Sequence, residues 1–216
     1  MARVHRENAQ RGRGCVTAYY NELDPFCAAW LRNLIAAGHI APGDVDERSI
    51  VDVRPDDLAG YTQAHFFAGI GGWSYALRLA GWPDDRPIWT GSCPCQPFSS
   101  AGKGDGAADS RHLWPAWARL IRECRPGTVF GEQVSGRDGL AWLDLVHADL
   151  EARDYAVGAV TLPAASVGAP HGRHRIYFVA DAEHAERGKI AQRSCVDGRD
   201  GQDTGRQEAH GLAGTR

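Results

Sequence analysis

Ala64-His65-Phe66-Phe67-Ala68-Gly69-Ile70-Gly71-Gly72 sets the fold of this 216-residue chain. Its first four residues read as a buried strand, the glycines as a loop, and the residues that follow as a helix over 73–80 closed by Gly81 and Pro83. Upstream, Val16-Thr17-Ala18-Tyr19-Tyr20 reads as a strand. A helix follows, with Asp24 suited to the N-cap and Pro25 to the first turn; Phe26/Cys27, Trp30/Leu31 and Leu34/Ile35 recur every four residues, and Gly38 closes it. Pro42-Gly43-Asp44-Val45 begins a second short segment, and 54–58 reads as a turn or a single helical turn. Downstream come a strand at Ile88-Trp89-Thr90, an amphipathic helix over 112–125 stopped by Pro126, and a strand at Thr128-Val129-Phe130 ending at Glu132. A helix over 139–153 and strands over 155–162 and 175–179 complete the pattern. This alternation predicts an α/β fold with a doubly wound, mostly parallel sheet, whose ligands gather beyond the carboxyl ends of the strands.

Composition sets bounds on function. A hydrophobic content of 43% supports one full core, and the formal charge of −3 carries no global basic signature, so nucleic-acid binding would rest on a local cluster. The six cysteines are irregularly spaced and no signal or long apolar span is visible, which predicts free thiols, a cytoplasmic location and no membrane association. Cys93-x-Cys95 lacks companion ligands at metal spacing, so no metal is expected. Residues 1–14 read as a flexible leader, 15–181 as the folded domain, and 182–216, without Phe, Trp or Tyr, as a polar disordered tail.

The motifs that could carry chemistry all stand at strand ends. Gly91-Ser92-Cys93-Pro94-Cys95-Gln96-Pro97-Phe98-Ser99 places the Cys95 thiol on a stiff turn, where neighbouring N–H groups can favour the thiolate. Glu132 follows a strand and can hydrogen-bond or protonate a ring nitrogen and its exocyclic amine. Arg173 and Arg175 alternate with His174 and are expected on one side of the chain, reaching a carbonyl edge or a phosphate. The 68–72 loop fits a ligand's amino-acid end, although a nucleotide loop or a plain tight turn needs the same glycines. Trp73, Trp89, Trp114, Trp117 and Trp142 read as core or partly buried packing rather than as a base-stacking platform.

Together the glycine loop, Pro94-Cys95-Gln96, Gly131-Glu132-Gln133-Val134 and Gly168-Ala169-Pro170-His171-Gly172-Arg173-His174-Arg175 resemble the DNA cytosine-5 methyltransferase family. The resemblance spans about residues 16–181 and departs at Gln133, where the family has Asn, and at His171, where it has Gln. It implies a Rossmann-like, S-adenosylmethionine-dependent methyltransferase acting on C5 of cytosine in DNA, with Cys95 adding to C6 and Glu132, Arg173 and Arg175 around the base. Cofactor contacts implied are Phe67, Ala68, Gly69, Ile70, Gly71, Gly72 and Pro94. Gln96 and Ser99 are expected substrate contacts, and Lys103 and Arg111, in or after the glycine-rich loop over 102–106, could close over a substrate base and touch phosphate.

The family's ribose- and adenine-binding segments have no room between Gly72 and Cys95. They resemble Glu22-Leu23 and Asp44-Val45 upstream instead, which predicts a rearranged order: the second and third strands of the cofactor half precede the first. For Glu22 and Asp44 the bland alternative is that they charge a helix start or a surface. The family's target-recognition domain and final motifs are not recognised after the last arginine strand. A truncated remnant, a split enzyme completed by a second chain and a minimal enzyme of low specificity are the resulting alternatives. A non-catalytic cofactor- or DNA-binding protein, or a tRNA or free-nucleotide substrate, are rival functions.

Overall fold

The computed structural model describes residues 18–94 and 113–184. In chain order the elements are β1 (Ala18–Asn21), α1 (Pro25–Ala36), β2 (Gly43–Asp46), β3 (Gln63–Phe66), α2 (Gly72–Leu79), β4 (Ile88–Gly91), α3 (Trp114–Cys124), β5 (Thr128–Val134), α4 (Arg137–Glu151), β6 (Ala156–Pro163) and β7 (His174–Asp181). Short 3-10 turns at Ile50–Asp52, Pro55–Leu58 and Ala164–Val167 fill the connections.

The strands form one sheet in the order β2-β1-β3-β4-β5-β7-β6. β1 lies between β2 and β3, so the chain leaving β2 passes over β1 before β3 forms, and β3 then pairs directly with β4. The rearrangement read from the sequence is thus built into the sheet. β2 to β5 and β1 run parallel, while β7 is antiparallel to both β5 and β6.

Local chemistry accounts for the elements. Asp24 accepts the Cys27 N–H at 2.9 Å at the start of α1, and Pro25 gives up no needed donor there. Gly38, at φ +73°, ends that helix by donating to Ile35 O while His39 donates to Leu34 O. The Tyr20 hydroxyl donates to Ala41 O at 2.7 Å and lies 3.0 Å from Ser74 Oγ, which accepts the Ala41 N–H, tying β1, the approach to β2 and α2 into one buried network.

Helices cover both faces. One face holds Tyr20, Leu31, Ile40 and Ala68; the other is a large aromatic cluster of Phe66, Trp89, Trp114, Trp117, Trp142 and Phe178. Truncating one such ring costs about 3–5 kcal/mol. Gly91 and Gly131 admit the rings: a Cβ on Gly91 would stand 2.6 Å from Trp117, and one on Gly131 would stand 2.0 Å from Phe178.

β5 is longer than the sequence suggests, because β7 pairs with every residue from Thr128 to Val134. Glu132 therefore stands inside a strand rather than at its end. α4 begins at Arg137, after Gly136, two residues earlier than the expected start.

Candidate active site

The loop after β3 has an unusual backbone. Phe67, Gly69 and Gly71 have φ of +52°, +54° and +81°, and a non-glycine residue in that region costs about 1–3 kcal/mol. The loop is held by Ala68 N–H donating to Asn21 O at 3.1 Å and Gly71 N–H donating to Ala68 O at 2.9 Å. Glu22 completes the brace: Oε2 accepts the Gly69 N–H at 2.6 Å and Oε1 accepts the Asp24 N–H at 2.9 Å. One carboxylate thus joins the glycine loop to the start of α1. Leu23, next to it, is exposed.

Beside this loop a cleft of about 380 Å³ opens at the carboxyl ends of β3 and β4. It is lined by Phe67, Ala68, Gly69, Ile70, Gly72, Trp73 and Ala76, together with Ser92, Glu132 and Tyr177. Trp73 Nε1 donates to Ser92 Oγ at 3.1 Å, and its ring packs against Phe130 and edge-on against Tyr177.

The turn after β4 is pinned from β5. Buried Gln133 donates from Nε2 to Cys93 O at 3.1 Å, while its Oε1 accepts the Val134 N–H at 2.8 Å. Cys93 is buried, and Pro94, exposed, is the last described residue before Cys95. Cys95, Gln96, Ser99, Lys103 and Arg111 lie outside the described residues, as do the expected leader and most of the expected tail.

Between β5 and β7, Arg175 Nε lies 2.6 Å from Glu132 Oε1, with both side chains largely shielded. Arg173 does not share that position: it precedes β7, its side chain is exposed, and its carbonyl accepts the Ala164 N–H. The two arginines thus differ in burial: Arg173 is exposed, while Arg175 is half-buried against Glu132.

Asp44 and Val45 stand within β2. Asp44 Oδ2 accepts the Tyr61 hydroxyl at 2.8 Å, and Val45 packs toward α1; neither lines the cleft. At the carboxyl end of β2, burial would raise the Asp46 carboxyl, but hydrogen bonds from Arg48 and Tyr19 outweigh it and hold it below the usual carboxylate range.

Ser92, Tyr177 and the bracing role of Gln133 were not legible beforehand. The signal for Gln133 was its place beside Glu132; nothing in the spacing pointed to Cys93 as its partner. Among the described residues no group of His, Cys, Asp or Glu could hold a metal ion, and no helix is long and apolar enough to cross a membrane.

Comparison with known proteins adds to this geometry. The family model described as C-5 cytosine-specific DNA methylase matches residues 82–197. The chain is 29% identical over 169 residues to the Type II methyltransferase M.HhaI of Haemophilus parahaemolyticus, covering 60% of this chain and 52% of that protein. It is 35% identical over 104 residues to M.NlaX of Neisseria lactamica, covering 46% and 33%. It therefore spans about half the length, or less, of these curated relatives. In fold it is similar to a crystal structure of a Spodoptera frugiperda DNMT2 variant, with a TM-score of 0.51 at 16% identity over 82% of this chain and 45% of that one.

Proposed function

The chain belongs to the C-5 cytosine-specific DNA methylase family, and from that membership we propose that it transfers a methyl group from S-adenosylmethionine to C5 of a cytosine flipped out of DNA. The observation that carries this reading is the convergence on one cleft of the glycine loop, of Ser92 from the turn that leads to Cys95, and of the Glu132–Arg175 pair.

The residues present fit the cofactor. The cleft volume lies within the range of small-molecule sites. A side chain on Gly69 or Gly72 would meet nothing within 4 Å, so the backbone there is open to a ligand. Phe67 to Gly72 and Pro94 would hold its amino-acid end, Glu22 and Leu23 its ribose and ring, and Asp44 and Val45 its adenine. When bound, S-adenosylmethionine supplies an electrophilic methyl group on a sulfonium.

The protein's own groups do the rest. The Cys95 thiolate adds to C6 of the pyrimidine, which makes C5 nucleophilic, and Glu132 meets the charge that develops at N3 and the exocyclic amine. Arg175 holds the Glu132 carboxyl in place and offers its remaining N–H groups to the base carbonyl, with exposed Arg173 toward phosphate. After transfer, water takes the C5 proton as the C6–sulfur bond breaks, which restores the C5–C6 double bond and releases the thiolate and the product. Gln133, through the Cys93 carbonyl, fixes the backbone from which Pro94 and Cys95 extend. Gln96, Ser99, Lys103 and Arg111 would close over the extruded base.

The test is methyl incorporation from labelled cofactor into duplex DNA, tRNA and dCMP by the full chain. The proposal expects DNA to be the substrate and the label to reside at C5 of cytosine. Label in tRNA or dCMP alone, or at another atom, contradicts it.

A further inference from the structure

β6 is the last strand of the sheet, paired with β7 on one side and with no other strand among the described residues on the other. Ala164 N–H donates to Arg173 O at 3.0 Å, continuing the register in which Pro163 faces His174. Even-numbered residues of β6 therefore direct their N–H and C=O groups at β7, and Val157, Ala159, Thr161 and Pro163 direct theirs outward.

Both ends of that outward edge are closed. The Val157 carbonyl accepts from His147 Nε2 at 3.3 Å, which also confirms the outward phase of the odd residues. Pro163 has no N–H, and its carbonyl accepts the Ser166 hydroxyl at 2.7 Å. Between them, Ala159 and Thr161 each present a donor and an acceptor that have no partner among the described residues, symmetrically placed about Val160. β6 carries no charge to block pairing, and Val160 and Leu162 are 50% and 41% exposed. Exposed edges are ordinarily protected by charges, bulges or short length.

We propose that this edge pairs antiparallel with the same edge of a second copy of the chain, with Val160 on the two-fold axis. In that register the N–H of Ala159 meets the carbonyl of Thr161 in the second copy, the N–H of Thr161 meets the carbonyl of Ala159, and symmetry repeats both. Val160 then faces Val160, and Leu162 faces Gly158, which leaves it room. Centring the axis on Ala159 would aim the Thr161 N–H at the carbonyl that His147 holds. Centring it on Thr161 would set Ala159 against Pro163, which has no donor. The free groups are therefore complementary to themselves in a single register, and this favours a second copy over an unrelated strand. The inference is independent of the proposed reaction.

Sedimentation velocity over a dilution series tests it, with a reversible monomer–dimer equilibrium expected. Val160→Lys, at an exposed position, sets like charges on the axis and should weaken the dimer about tenfold or more while leaving the circular dichroism unchanged. Val160→Cys should form an intermolecular disulfide on mild oxidation, because facing non-hydrogen-bonded residues lie about 4.5 Å apart at Cα. Leu162→Cys should not, with the unsubstituted protein as control for its own thiols. A chain that stays monomeric throughout overturns the proposal. So does a dimer indifferent to Val160→Lys, or one cross-linked equally at both cysteine positions.

Discussion

Glu132 on β5 and Arg175 on β7 meet at 2.6 Å, Oε1 to Nε, across two strands that run antiparallel. Glu132 also lines the cleft, so the arginine holds the carboxyl at the cavity wall. The pair sits where two chain segments far apart in sequence are locked in register, which gives it a fixed geometry without a mobile loop.

Removing the acid should therefore damage chemistry more than binding. Glu132→Gln is expected to lower single-turnover methylation by about 100-fold or more, within the range of general acid–base contributions. Calorimetric affinity for the cofactor should hardly change. An unaltered rate would remove Glu132 from the proposed reaction.

Glu22 braces the glycine loop and is the proposed ribose contact, so Glu22→Ala should act on the cofactor. Losing hydrogen bonds to a charged group is worth about 1.5–3 kcal/mol, equivalent to roughly 10- to 150-fold in affinity. Isothermal titration with S-adenosylmethionine measures it, and an affinity equal to that of the parent protein would place the ribose elsewhere.

Gln133→Ala should cost stability as well as rate. It removes the hydrogen bonds that Gln133 gives to the Cys93 carbonyl and accepts from the Val134 N–H, a loss of about 1–3 kcal/mol. At this chain length each kcal/mol lowers Tm by about 2–4 °C, so scanning calorimetry reads the effect directly.

Gly91→Ala and Gly131→Ala force a methyl group into the rings of Trp117 and Phe178. Each should destabilise by about 1–3 kcal/mol or more through overpacking. Urea unfolding midpoints check this, and Gly127→Ala, which meets nothing within 4 Å, serves as the neutral comparison.

His65 predicts the pH dependence. It is fully buried on β3, stacked on Tyr20 and 2.7 Å from Thr90 Oγ1, and burial pushes its imidazole down to about 3. The unfolded chain takes up that proton below about 6.5, while the folded chain resists until about 3. Its contribution to stability is present above pH 6.5 and is lost as pH falls toward 3, with a slope approaching about 1.4 kcal/mol per pH unit. In His65→Gln the mean slope of unfolding free energy between pH 7 and pH 5 should flatten by about 1 kcal/mol per pH unit. An unchanged slope would contradict a neutral buried His65.

Much of this architecture was legible because periodicity and turn chemistry are local. The Asp24 cap, the glycine loop and the upstream position of the two displaced strands could be read from residue order, and the sheet realises that order. What escaped depends on pairing at long range. Glu132 reads as a strand end, yet β7 extends β5 past it, and the ion pair that sets Arg175 apart from Arg173 is a contact between strands. Trp73 read as packing, yet it also lines the cleft. The Tyr61 hydroxyl that donates to Asp44 is another such long-range contact, which no spacing rule encodes.

The most direct test of the central claim is a denaturation-resistant complex between the chain and duplex DNA carrying 5-fluorocytosine, formed in the presence of S-adenosylmethionine. The fluorine at C5 blocks the final loss of a proton, so the sulfur–C6 bond should persist. The account predicts a complex with the parent protein and none with Cys95→Ser. A complex that survives that substitution, or parent protein that methylates unmodified DNA yet never traps the fluorinated base, would contradict it.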